Sequence, residues 1–122
     1  MQLTVKGVDY APKELSEQVP FEVRLLRQMP GSDRPDDWLG SVTPSLRWVV
    51  DGVEREVTHV VLASRYVGQA IRPGAVDLVV GISYVTDPSL LDDVQLTLAK
   101  CAYVAIGVCR ESGASPSSVG GD

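Results

Sequence analysis

The side chains that could do chemistry in this sequence are few and scattered. There is one histidine, His59, with two cysteines, Cys101 and Cys109, and two adjacent acidic pairs, Asp36-Asp37 and Asp92-Asp93. A catalytic histidine needs a partner that orients its ring and sets its tautomer. No such partner can be pointed to around His59, which reads first as a core or edge residue with a satisfied hydrogen bond. No serine stands in a nucleophile elbow, since Gly81-Ile82-Ser83 lacks the following glycine. The cysteines have no electropositive setting that would favour a thiolate. Their spacing puts them about 26 Å apart on a strand or about 12 Å apart on a helix. A disulfide needs Cα atoms within about 7 Å, so they pair only if the chain turns back between them. The plainer reading is two small buried hydrophobes.

Cofactor chemistry has equally little support. One histidine and two cysteines are too few for a zinc site, and neither acidic pair has the alternating spacing of a calcium loop. Asp36-Asp37 reads as solvated loop, and Asp92-Asp93 as the polar side of a short helix. Gly113, Gly120 and Gly121 sit in a tail rather than between a strand and a helix, so they make no phosphate loop. Neither a metal nor a cofactor is expected, and no residue is assigned as catalytic.

Binding residues are easier to nominate. Arg65 interrupts an apolar strand. An inward-aimed arginine can grip a carboxylate or phosphate with both its nitrogens, although it can equally pair with Asp77 or point to water. Tyr66 follows it, and Tyr84 lies on a later strand. Trp38 ends a polar loop and is read as a lid folded onto the core, because tryptophan is highly buried on average. Trp38, His59, Arg65, Tyr66 and Tyr84 are therefore the candidate binding residues.

The charge balance narrows the partners. The chain has 11 basic and 16 acidic residues, a net charge of −5, and the basic ones occur singly along it. Nucleic-acid binding needs clustered positive charge, and an anionic membrane surface needs the same; neither partner is expected. No apolar run approaches the roughly 20 residues of a bilayer span, and no leader pattern opens the chain. A cytoplasmic location is the expectation.

The elements that must carry these residues read mainly as strands. Leu3, Val5 and Val8 alternate with Thr4 and Lys6, and Phe21, Val23 and Leu25 alternate with Glu22, Arg24 and Leu26. Pro12–Gln18 reads as a loop with one helical turn. Met29–Gly40, rich in Pro, Gly and Asp, reads as a long loop. Asp51-Gly52 is a two-residue type I′ turn signal, and it sets a register. Val50 faces Val53, Trp48 faces Arg55, Arg47 faces Glu56 and Leu46 faces Val57. That register sends Leu46, Trp48, Val50, Val53 and Val57 to one face, with Arg55 among them, close enough to lie over the Trp48 ring. Ser45, Arg47, Glu54, Glu56 and Thr58 go to the other. The same phase puts His59 on the face of Val57 and Val61. The run Val60-Val61-Leu62 implies either cover on both faces or a bulge that shifts the phase. Val76–Thr86 is a strand with Val76, Leu78, Val80, Ile82 and Tyr84 on one face. Asp87-Pro88 is a helix N-cap followed by proline at the first helical position. Residues 94–109 fit both helical spacing and strand alternation, and the cluster Tyr103–Val108 favours strand.

These elements predict a mainly β fold, an antiparallel β-sandwich or small barrel. The alternative is α+β, an antiparallel sheet with one covering helix at 88–109. A single β-rich domain spans 1–111 and a flexible tail 112–122. A chain of 122 residues with 44% apolar composition can bury a core without a metal or disulfide. The function this supports is a small non-catalytic interaction protein: an adaptor, an inhibitor or immunity-type partner, or an assembly subunit. Its partner is a protein or a second copy, and the doubly apolar runs Val60–Leu62 and Val76–Val80 would suit such an interface. The alternative is a small-molecule-binding β-barrel or an enzyme, with a site around His59 and Arg65.

Overall fold

The computed structural model describes residues 1–29, 37–64, 71, 73–74, 76–93, 95–97 and 100–112. Six strands are found among them: β1 (Gln2–Asp9), β2 (Phe21–Gln28), β3 (Asp37–Val50), β4 (Val53–Ser64), β5 (Leu78–Tyr84) and β6 (Ala102–Glu111). Each pairs antiparallel with the next, and β6 closes onto β1 to make a barrel. Closure leaves the barrel wall without edges. One short helix, α1 (Lys13–Ser16), joins β1 to β2. The fold is thus the barrel rather than the sandwich. The covering helix at 88–109 is replaced by a 3-10 turn at Pro88–Asp92 and by β6. Among the described residues no helix is long and apolar enough to cross a membrane.

The β3–β4 hairpin forms in the register its turn demands. Asp51 and Gly52 both take positive φ, 51° and 77°, and the pairs run Val50–Val53, Trp48–Arg55, Arg47–Glu56 and Leu46–Val57. Arg47 and Glu56 make a cross-strand ion pair at 3.4 Å. Leu46, Trp48 and Val57 are buried, whereas Val53 is exposed because the hairpin tip rises past the barrel rim. Among the described residues the ring that meets Trp48 is Tyr84, edge-on at 5.1 Å between centroids, rather than the Arg55 guanidinium.

Four strand pairs carry a register shift among the described residues, and three of these shifts decide which side chains near the site face inward. The β1–β6 register shifts between Val5 and Gly7. Leu3 and Val5 therefore share the interior with Val8, which simple alternation would have turned outward. The β2–β3 register shifts between Leu25 and Arg27, which sends Arg27 outside. The β3–β4 register shifts between Ser41 and Leu46. Below that shift Val60 and Leu62 face the interior and Val61 the exterior. His59 follows Val61 and leaves the face of Val57, because the phase breaks between them.

The connection from β5 to β6 covers that exterior. Leu96 is fully buried with Met29, Leu39 and Val61, and Val85, Leu90, Leu91 and Cys101 pack around them. Burying Leu96 contributes on the order of 2 kcal/mol. Arg27 pins the strap, its guanidinium donating to the carbonyls of Asp93 at 2.7 Å and Leu91 at 3.4 Å. Asp87 caps the 3-10 turn by accepting from the Ser89 amide at 3.0 Å. Val60–Leu62 is thus apolar on both faces to serve the chain's own core, not an oligomer interface. In the second such run Leu78 and Val80 are inside, and Val76 is exposed.

The stretch Met29–Gly40, expected as a long loop, is strand from Asp37 onward, and residues 30–36 lie outside the described residues. Gly40 shows why a polar-looking stretch pairs: a Cβ there would lie 2.5 Å from Val23 Cγ1 and 3.0 Å from the Arg24 carbonyl oxygen. Only glycine lets β2 and β3 approach at that point. Asp37 is not solvated but 2% exposed. Asp36 lies outside the described residues.

Candidate functional site

The two ends of the barrel are built differently. At the end where β1 finishes and β2 begins, α1 acts as a plug. Its Leu15 is fully buried in the core that also holds Phe21, Trp48 and Tyr84. The β3–β4 hairpin projects past this end, and its two edges receive opposite treatment.

The β3 edge is sealed by α1 and the residues after it. The Gln18 side-chain amide donates to the Arg47 carbonyl at 2.5 Å and accepts from the Arg47 amide at 3.0 Å. One residue pair further on, the Val49 amide donates to Glu14 Oε2 at 3.2 Å. These side chains stand in for a neighbouring strand.

The β4 edge is open. β5 pairs with β4 only from Val60 to Ser64, so Val53–Thr58 have β3 on one side and no strand on the other among the described residues. Ladder geometry identifies the groups left facing outward. Arg47 and Val49 point their amides away from β4, so their partners Glu56 and Glu54 point theirs away from β3.

A notch of about 100 Å³ lies against this edge, lined by Arg55, Val57, Thr58, His59, Tyr84, Thr86, Pro88 and Leu91 with the intervening residues Glu56 and Val85. Val57 and Tyr84 are its buried apolar members. Arg55 makes no ion pair among the described residues. His59 Nδ1 and Thr58 Oγ1 lie 2.9 Å apart, which fixes the ring against its neighbour. Glu56 is already engaged: the Ser45 hydroxyl donates to it at 2.7 Å. That bond, with the Arg47 charge, holds its carboxyl below the usual range. The notch therefore offers backbone groups, an apolar floor and one cation.

The five candidate binding residues divide three ways. His59 and Tyr84 meet in the notch. Trp38 is at the opposite end of the barrel, half-buried, beside Met1, Leu25, Ile71 and Pro73. Arg65 and Tyr66 lie outside the described residues. The carboxylate suggested for Arg65, Asp77, is paired with Lys6. Arg55, the one charge on an otherwise apolar hairpin face, also lines the notch. Its signal was that misfit.

The thiols are unsuited to nucleophilic work. Cys109 is buried inside the barrel, and burial pushes its thiol up to about 12 despite the nearby Lys6 charge. Cys101 is raised for the same reason. Both are free rather than joined. Among the described residues no three His, Cys, Asp or Glu side chains converge as a metal cage. No protein-family model, curated protein or solved structure matches the chain.

Proposed function

We propose that the chain is a non-catalytic interaction module that accepts an extended segment of another protein as an extra strand along β4. Strand addition uses the unpaired amides and carbonyls of a sheet edge for affinity and alternate side-chain positions for specificity. The observation that carries this reading is the asymmetry of the projecting hairpin. Gln18 and Glu14 cap one edge with side-chain hydrogen bonds, and nothing described caps the other. Exposed edges are ordinarily blunted, so an edge left open beside an apolar notch favours a visiting strand.

Size and charge narrow the visitor. A notch of about 100 Å³ is smaller than the roughly 150 Å³ cavity that holds benzene, but suits a side chain of a docked strand. A second copy fits poorly. Antiparallel pairing of two β4 edges centred on Arg55 opposes Arg55 to Arg55 and Glu54 to Glu56, and pairing centred on Glu56 opposes Glu56 to Glu56; such like pairs are unfavourable. These registers favour a different chain as the partner. Apolar and acidic side chains would face Val53, Arg55 and Val57, and basic ones would face Glu54 and Glu56.

Linear peptides selected on the protein from a random display library test this. Glu56→Pro removes an outward amide while sparing the amides of Arg55 and Val57 that serve the β3 ladder. It should weaken the selected peptides by at least about tenfold, whereas Glu56→Ala, which keeps the amide, should change affinity by less than about threefold. Equal binding by the two variants, or a selection that yields no linear peptide, contradicts strand addition.

A further inference from the structure

We infer that the opposite end of the barrel holds a second site, for a small uncharged aromatic molecule. It is independent of strand addition, which uses the other end. The cavity there has a volume of about 260 Å³ and is lined by Met1, Leu25, Trp38, Ile71 and Pro73. An apolar cavity of about 150 Å³ is enough to hold benzene, so this one accommodates a two-ring molecule such as an indole. The five described lining residues are all apolar or aromatic, and walls of that kind disfavour a charged ligand.

The walls are set before any ligand arrives. Trp38 is fixed on β3 opposite Leu62 of β4 and Gln28 of β2, so its ring stands at the lip of the barrel rather than on a loop. Leu25 is held by its amide, which donates to the Met1 carbonyl at 2.9 Å. Ile71 drops into the core and is 7% exposed, which floors the cavity. The Pro73–Gly74 turn is tied to β6, where Glu111 Oε1 accepts from the Gly74 amide at 2.6 Å. A rigid, half-buried indole beside preformed apolar walls is a stacking platform.

The contrast with the other end is what singles this cavity out. There Leu15 of α1 fills the barrel. Here a cavity of about 260 Å³ remains beside the buried Ile71, with Leu25 and Trp38 among its described lining.

Titration with indole, followed by NMR of side-chain signals, tests the site. The Leu25 and Ile71 methyl groups and the Trp38 indole N–H should move together and saturably, with Kd tighter than about 1 mM. Indole-3-acetate should bind at least about tenfold more weakly, because its carboxylate would be desolvated without a partner. Leu25→Phe, which grows into the cavity, should abolish the shifts, and Val53→Ala at the far end should leave them unchanged. Should Leu25→Phe fail to fold, intermolecular NOEs from indole to the Leu25 and Ile71 methyl groups of the unaltered protein decide the matter. Their presence supports the site and their absence overturns it. Non-saturating shifts, or equal binding of indole-3-acetate, also overturn it.

Discussion

Gln18 and Arg47 exchange two hydrogen bonds through a single side chain, the amide group of Gln18 donating to the Arg47 carbonyl at 2.5 Å and accepting from its N–H at 3.0 Å. A primary amide has the donor and acceptor of a peptide unit, so Gln18 acts as a one-residue neighbouring strand. Gln18→Ala leaves both Arg47 groups to water and removes the guard from the β3 edge. It should lower stability by about 1–2 kcal/mol, read as a smaller urea midpoint at unchanged m, and scattering should show concentration-dependent association.

The charges on the open edge have the complementary role. Glu54, Arg55 and Glu56 are all exposed on β4, and they oppose like charges in the self-pairing registers centred on Arg55 and on Glu56. Replacing Glu54 and Arg55 together by valine should turn the β4 edge into a self-pairing one. Sedimentation should then show dimers or larger species in the double variant and not in the parent protein.

Gly40 tests the tightness of the barrel wall. Its missing Cβ would overlap Val23 and the Arg24 carbonyl, one of them backbone that cannot step aside. Gly40→Ala should destabilise by about 1–3 kcal/mol, measurable by chemical denaturation, even though alanine is the smaller change in strand propensity.

Asp37 carries the least favourable burial. It is 2% exposed, and neither carboxyl oxygen has a hydrogen-bond partner among the described residues. A buried polar group without a partner costs free energy. Asp37→Asn should raise stability by about 1 kcal/mol or more, seen as a higher denaturation midpoint. A drop in midpoint would mean that the carboxylate has a compensating interaction.

Glu22 gives the fold a pH dependence. Burial raises its pKa, but hydrogen bonds from Ser112, Gln2 and Thr4 and the charge of Arg110 outweigh that and leave it below the ordinary 4.5. A lowered folded-state pKa means the ionised form favours folding. Its contribution is complete above the unfolded value and is lost as pH falls through the folded one. Glu22→Gln should therefore lower the denaturation midpoint near neutral pH, with the deficit shrinking as both proteins are taken below pH 4.5. A deficit constant with pH would contradict the assignment.

Much of the fold was legible because local rules dominate it. Asp51-Gly52 allows one tight turn, and that turn alone orders ten residues of hairpin, including the Arg47–Glu56 pair. Asp87-Pro88 set the start of the 3-10 turn in the same way. Val60-Val61-Leu62 announced cover on both faces, though not that the chain's own strap would supply it. What failed to read out were phases across bulges and the ends of strands. His59 was placed with Val57 because period-two counting cannot see the shift between Ser41 and Leu46. Asp37 and Gly40 looked like loop by composition, yet both are strand, one buried and the other chosen for its lack of a side chain. The notch was half legible. Tyr84 and His59 were nominated singly, but their meeting depends on where β5 stops pairing with β4, a property of register that neither residue carries.

The most direct test of strand addition is amide hydrogen exchange, resolved by residue, with and without a saturating peptide selected on the protein. In the free protein the Glu54 and Glu56 amides should exchange fast, while Arg55 and Val57, bonded to β3, and Arg47 and Val49, capped by Gln18 and Glu14, are protected. Peptide should slow Glu54 and Glu56 selectively. Protection of those two amides in the free protein, or peptide binding that leaves them unchanged, would contradict the account.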